Sequence, residues 1–239
     1  SVNTVYNGQY DFYTRYSGHG GAVYVGKECS PIFTNCTFEN NHTFSGVSGI
    51  CGQDWGSGGR DEPSSRWIID NSGGAVYCDT NSTPKFTDCV FNNNAADTNN
   101  PADNDDPHVS FGGAFAFEDG AFPIIEKCSF NGNNATAGGG IYCAKAATQI
   151  RDSNFTDNTA YNGGASFYVD SNIGMGNCNI TGNQAAFPSS NVTTSIGLGG
   201  GIYCGSSSVK IYDCNINSNI ADSSGGGGYF SNGSNVLDN

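Results

Sequence analysis

The sequence predicts an all-β chain wound as a single parallel β-solenoid of about seven turns. Three observations predict it. A glycine-pair motif recurs at Gly20, Gly73, Gly112, Gly138, Gly163, Gly199 and Gly225, in forms such as "GGAVYC" and "GGGIYC". A second motif, FxxN or IxxN, follows the first six pairs at Phe38, Phe91, Phe130, Phe155, Ile180 and Ile216, always 17 or 18 residues on. The variation in length, from 8 to 35 residues, falls between that motif and the next glycine pair. The basic turn is therefore 25 or 26 residues, and the insertions share one corner.

Each part of the turn has a physical reason. The glycines turn a corner where side chains would crowd the neighbouring turns. The hydrophobe and the cysteine that follow are two residues apart and so share the inward face of a strand. The aromatic between them faces out, giving a partial ladder of Tyr24, Tyr77, Tyr142, Phe167, Tyr203 and Tyr229 that Ala116 interrupts. Phe33, Phe86, Ile125, Ile150, Met175 and Ile211 form the next inward column. A bend follows at Asn35, Asp88, Lys127, Asp152, Asn177 and Asp213, a column rich in the residues that tolerate left-handed backbone. The turn closes on Asn41, Asn94, Asn133, Asn158, Asn183 and Asn219, which are expected to stack as an amide ladder. Residues 1–19 read as a degenerate first turn or cap. Phe12 keeps the register of the FxxN motif, but Arg15 replaces its Asn. Residues 20–239 read as the solenoid, expected to continue beyond 239 or to be covered by a neighbouring subunit.

Composition narrows the partners. With 9 Lys and Arg against 22 Asp and Glu, the net charge of −13 argues against nucleic acid and anionic membranes. No apolar run approaches the ~20 residues of a membrane span. Ten cysteines without zinc spacing point to an oxidising compartment, extracellular or at the cell surface. The glycine-motif cysteines, Cys78, Cys143 and Cys204, each follow a turn that carries a cysteine beside its bend, namely Cys36, Cys128 and Cys178. The expected disulfides are Cys36–Cys78, Cys128–Cys143 and Cys178–Cys204, with Cys29–Cys51 as a fourth and Cys89 and Cys214 unassigned.

The pairing of GG[A/G]-hydrophobe with FxxN resembles the repeats of polymorphic outer-membrane proteins, known from chlamydial surfaces. The resemblance covers residues 20–239 and implies a right-handed parallel β-helix, here in a secreted, cysteine-rich form. It implies no one function, and autotransport is not carried over.

The insertions are where a rigid rod would display recognition. The first carries Trp55 and Trp67 with Arg60 and Arg66, a set suited to stacking a sugar or anchoring a protein interface. The second carries Asp103, Asp105 and Asp106, with Asp97 and His108 nearby, which offer oxygen ligands to Ca²⁺ without the EF-hand pattern. No other cofactor is expected. N-glycan acceptor sequences start at Asn35, Asn81, Asn134, Asn154, Asn179, Asn191 and Asn232. An eighth, at Asn41, falls in the ladder. Asn154 and Asn179 precede the inward Phe or Ile and so face out.

No catalytic residues are assigned. Asp88, Asp152 and Asp213 sit in alternate turns of a column explained by its bend, and His19, His42 and His108 join no triad. The function expected is a non-enzymatic structural glycoprotein: a module of a filament, surface coat or adhesin, associating end to end. A polysaccharide-active lyase or hydrolase is the alternative. An ice- or carbohydrate-binding solenoid is the other, although the outward column of Thr37, Val90, Ser129, Asn154, Asn179 and Asn215 holds no threonine row.

Overall fold

The computed structural model describes residues 4–5, 16–43, 69–96, 109–186 and 197–238. Every pairing between its strands is parallel and joins one turn to the next. Three sheets wrap the core. The glycine-motif strands, from Val23–Val25 through Ile141–Ala144 to Gly228–Ser231, form a seven-stranded sheet. The middle strands, from Ile32–Thr34 through Ala147–Arg151 to Asn235–Asp238, form a second. The FxxN strands, from Thr37–Glu39 to Asn215–Asn217, form a six-stranded third.

Register is fixed by stacking like on like. Phe38, Phe91, Phe130 and Phe155 stand directly above one another, with centroids 4.7–4.8 Å apart and ring planes within 9°. That spacing is the strand separation itself, so each ring covers the next. A slip of one residue would turn the whole column outward.

The asparagine column forms the ladder at the corner. The side chain of Asn133 uses all of its capacity. Its Oδ1 accepts from the backbone N–H of Asn94 at 2.9 Å and from Asn94 Nδ2 at 3.0 Å. Its Nδ2 donates to Phe91 O and to Asn158 Oδ1, both at 2.9 Å. Asn94, Asn158 and Asn183 repeat the pattern, and all four are fully buried.

Beside the ladder, Gly20, Gly73, Gly112, Gly138, Gly163, Gly199 and Gly225 hold φ between 63° and 73°. The glycine after each is needed for closeness. At Gly139 a Cβ would lie 2.4 Å from Gly164 O and 2.6 Å from Thr159 O in the next turn. The predicted bend column is left-handed throughout, with φ of 50–55°. Two further left-handed bends escape the sequence reading. One precedes the ladder at Asn40, Asn93, Gly132, Asp157, Gly182 and Ser218. The other joins the glycine and middle strands at Asn81, Lys145, Asp170, Ser206 and Asn232, where no residue type repeats often enough to be seen.

Residues 16–19 are already part of the stack. The strand Tyr16–His19 pairs in parallel with Ile69–Ser72, and Thr4–Val5 pairs with His42–Thr43. The three long insertions leave after Thr43, Ala96 and Ala186 and return at Ile69, Val109 and Gly197, all at the asparagine corner.

The ladder makes a direct prediction. In Asn133→Asp two donors are lost and a carboxylate is buried. With about 1–3 kcal/mol for each buried group left unpaired, the loss should exceed about 3 kcal/mol. Asn131→Asp, which removes one bond to Asn92 on the outer face, should cost less than about 1 kcal/mol. Urea unfolding of the two variants measures the contrast.

Candidate functional surface

The outward aromatics on the glycine face form a stripe. Tyr142 and Phe167 stack at 5.6 Å, Phe167 and Tyr203 at 4.3 Å, and Tyr203 and Tyr229 at 5.4 Å, with planes within 16°. Tyr24 and Tyr77 stack at 5.5 Å. The gap expected at Ala116 is filled from elsewhere. Phe111, on the strand Val109–Phe111 by which the second insertion returns, packs over Tyr77, Ala116 and Tyr142, with its ring 4.4 Å from that of Tyr142. His19 lies 4.3 Å from Tyr77 in the same way. Tyr77 and Tyr142 thus point outward yet are only 8% exposed.

Rings stacked on one another spend their faces on their neighbours and show solvent their edges. Sugars stack on faces, so the interior of the stripe is cohesion rather than a sugar platform. Tyr24, 54% exposed, is the open member. Its hydroxyl donates to Asp79 Oδ2 at 2.6 Å. The other oxygen of Asp79 accepts from the N–H of Thr80 at 2.6 Å and from its hydroxyl at 3.1 Å. The bond to Asp79, helped by burial, pushes the Tyr24 phenol up to about 12, and the same bond holds the Asp79 carboxyl below its usual range.

Charged groups elsewhere are spread along columns. On the middle face, Ile124, Glu126, Gln149 and Arg151 line a shallow groove of about 250 Å³. Lys85 pairs with Glu126 at 2.8 Å, and Arg151 donates to Gln149 at 3.2 Å. Asp88, Asp152 and Asp213 are exposed at their left-handed bends, and Asn177 donates to Asp152. Among the described residues no group of three His, Cys, Asp or Glu side chains is placed to hold a metal.

The cysteines differ from expectation. All nine that are described are free thiols: Cys29, Cys36, Cys78, Cys89, Cys128, Cys143, Cys178, Cys204 and Cys214. The pairings Cys36–Cys78, Cys128–Cys143 and Cys178–Cys204 are not formed, and geometry gives the reason. Cys204 lies in the glycine-motif strand Ile202–Gly205, whereas Cys178 stacks on Cys214, beyond the five-residue middle strand Ser208–Tyr212. Five residues of strand span about 16 Å, far outside the ~7 Å Cα separation a disulfide bridges. The same middle strand separates Cys143 from the Cys128 column and Cys78 from the Cys36 column. The bend cysteines have a local role instead. Cys36, Cys89, Cys128, Cys178 and Cys214 each donate S–H to the carbonyl two residues back, at 3.2–3.4 Å. Ser153 makes the same bond with its hydroxyl at 2.7 Å, which is why serine substitutes there.

Asn35, Asn81, Asn134, Asn154 and Asn232 are exposed, Asn179 is half-buried and accepts from Asn215, and Asn41 is buried in the ladder. Cys51, Trp55, Arg60, Arg66, Trp67, Asp97, Asp103, Asp105, Asp106, His108 and Asn191 lie outside the described residues.

Parallel turns of this kind define a β-helix, and residues 2–150 match the family described as a right handed beta helix region. The chain belongs to that family. No curated protein matches it, and no solved structure does.

The Tyr24–Asp79 bond predicts an alkaline signature. A phenol raised in the folded state stabilises the fold fully below its unfolded value of about 10, and that contribution is lost as pH rises toward about 12. Absorbance titration should show a late-ionising phenol that Tyr24→Phe removes, and the variant should gain no instability between pH 10 and 12 from this source.

Proposed function

We propose that the chain is a rod-forming module of an extracellular structural glycoprotein, working in a filament, surface coat or adhesin. The observation that carries the reading is how its side chains are used. The aromatic stripe spends its ring faces, and the asparagine ladder spends its amides, on holding successive turns together. Both are cohesion along the rod axis. Assembly along that axis fits the reading. The strand Asn235–Asp238 carries exposed Val236 and Leu237, and an exposed strand edge is a template for pairing with another strand.

The alternative, a polysaccharide-active enzyme, draws on the middle-face groove with Glu126 and Arg151. The two readings separate in one experiment. The native protein is imaged by negative stain and incubated with a panel of acidic polysaccharides. Axial rods without polysaccharide cleavage are the expected outcome, and sustained cleavage that Arg151→Ala abolishes would establish the enzyme. The glycoprotein part has its own check. After secretion from a eukaryotic host, enzymatic deglycosylation and peptide mapping should find Asn154 occupied. Asn41 should be bare, because its amide is locked at 2.9 Å to Asn94.

A further inference from the structure

The bend column reads Cys36, Cys89, Cys128, Ser153, Cys178, Cys214 from turn to turn. Ser153 divides it. Its hydroxyl takes the N–H of Cys128 at 3.1 Å and keeps Cys128 and Cys178 two turns apart. Above it, Cys178 has Ser153 on one side and the thiol of Cys214 on the other. The backbone N–H of Cys178 points at Cys214 Sγ, 3.3 Å away, and the strands that follow them pair in register from Asn179 on Asn215. Below it, Cys89 has a thiol on either side and no unique partner.

We propose that Cys178 and Cys214 are a thiol–disulfide site: a turn-to-turn staple formed by exchange with a low-molecular-weight disulfide such as oxidised glutathione. Residues stacked on adjacent parallel strands lie about 4.8 Å apart, inside the ~4.4–6.8 Å Cα range of a disulfide. The pair therefore closes without moving the backbone by a strand's width, as Cys178–Cys204 cannot. Cys214 is half-exposed while Cys178 is buried, so the attacking and resolving roles divide between them. The Cys178 side chain and its backbone N–H both hydrogen-bond the Cys214 sulfur and favour the thiolate there, and the sulfur–sulfur bond and burial push the Cys178 thiol up.

The chemistry balances. Cys214 thiolate attacks one sulfur of the small disulfide, whose S–S bond breaks to release one small thiol, leaving a mixed disulfide on Cys214. Cys178 then gives up its proton and attacks Cys214 Sγ, releasing the second small thiol. Two protein thiols are oxidised, and one small disulfide is reduced to two thiols. The staple ties together turns that are 36 residues apart in sequence, across the third insertion.

The test uses the whole chain and needs no variant to begin. The reduced protein is incubated with oxidised glutathione, its remaining thiols are alkylated in denaturant without reductant, and its peptides are mapped. A Cys178–Cys214 cross-link is expected. Recovery of Cys178–Cys204, or of Cys178 and Cys214 both alkylated, overturns the proposal. In Cys178→Ser the glutathione adduct should accumulate on Cys214 at least tenfold over the native chain. A Cys214 that takes no adduct in this variant, folded by circular dichroism, overturns the assigned order of attack.

Discussion

A buried amide has two donors and two acceptor sites to satisfy, and in this rod they can be met only along the axis. Asn133 meets them with the turn before and the turn after. Because each asparagine lends its oxygen to one neighbour and its nitrogen to the other, no turn completes its corner alone. Turn height, register and direction follow from that bond. The strands must run parallel and in step for identical amides to meet, and then every other column is forced to stack like on like. The phenylalanine rings at 4.7–4.8 Å obey a spacing that the backbone and the amides set together.

The corner also explains where length varies. Once the amides, the left-handed first glycine and the close-packed second glycine are in place, the chain is fixed from the glycine pair to the asparagine. Between the asparagine and the next pair the stack is held only by short three-stranded sheets, so a loop leaves and returns without disturbing the amide ladder. The cost of lengthening such a loop grows only slowly with its length. A loop can also repair the rod, as Phe111 does when its returning strand covers the place where Ala116 lacks a ring.

Most of the fold is legible in the sequence because a ladder demands the same residue at the same place. Six asparagines, each three residues after the Phe or Ile of its motif, mark the corner, and the columns of glycine, Phe and Ile, and Asn and Asp mark the rest. The unread parts obey weaker rules. The bend between the glycine and middle strands needs only a residue that tolerates left-handed backbone, and it is met by Asn81, Lys145, Asp170 and Ser206. Phe111 belongs to no repeat. The cysteine pairing misleads for a third reason. Counting along the chain shows which successive turns carry a cysteine in each column but not that a whole strand lies between the columns. Serine at 153 marks only the local role, since its hydroxyl makes the bond to the carbonyl two residues back that the bend thiols make.

The aromatic stripe and the bend cysteines differ in what stacking does to them. In the aromatic stripe, stacking removes function: each ring covers its neighbour, and Tyr77 and Tyr142 are nearly sealed although they stand on the outer face. In the bend column, stacking creates it: a thiol that closes its own turn also lies against the thiol of the next, so one S–H serves local geometry and stands ready for exchange. The difference lies in size. A ring fills the spacing between strands and leaves nothing to react, whereas a sulfur leaves the contact open to a new bond. A solenoid that repeats one residue every turn therefore gains stiffness from large side chains and chemistry from small ones.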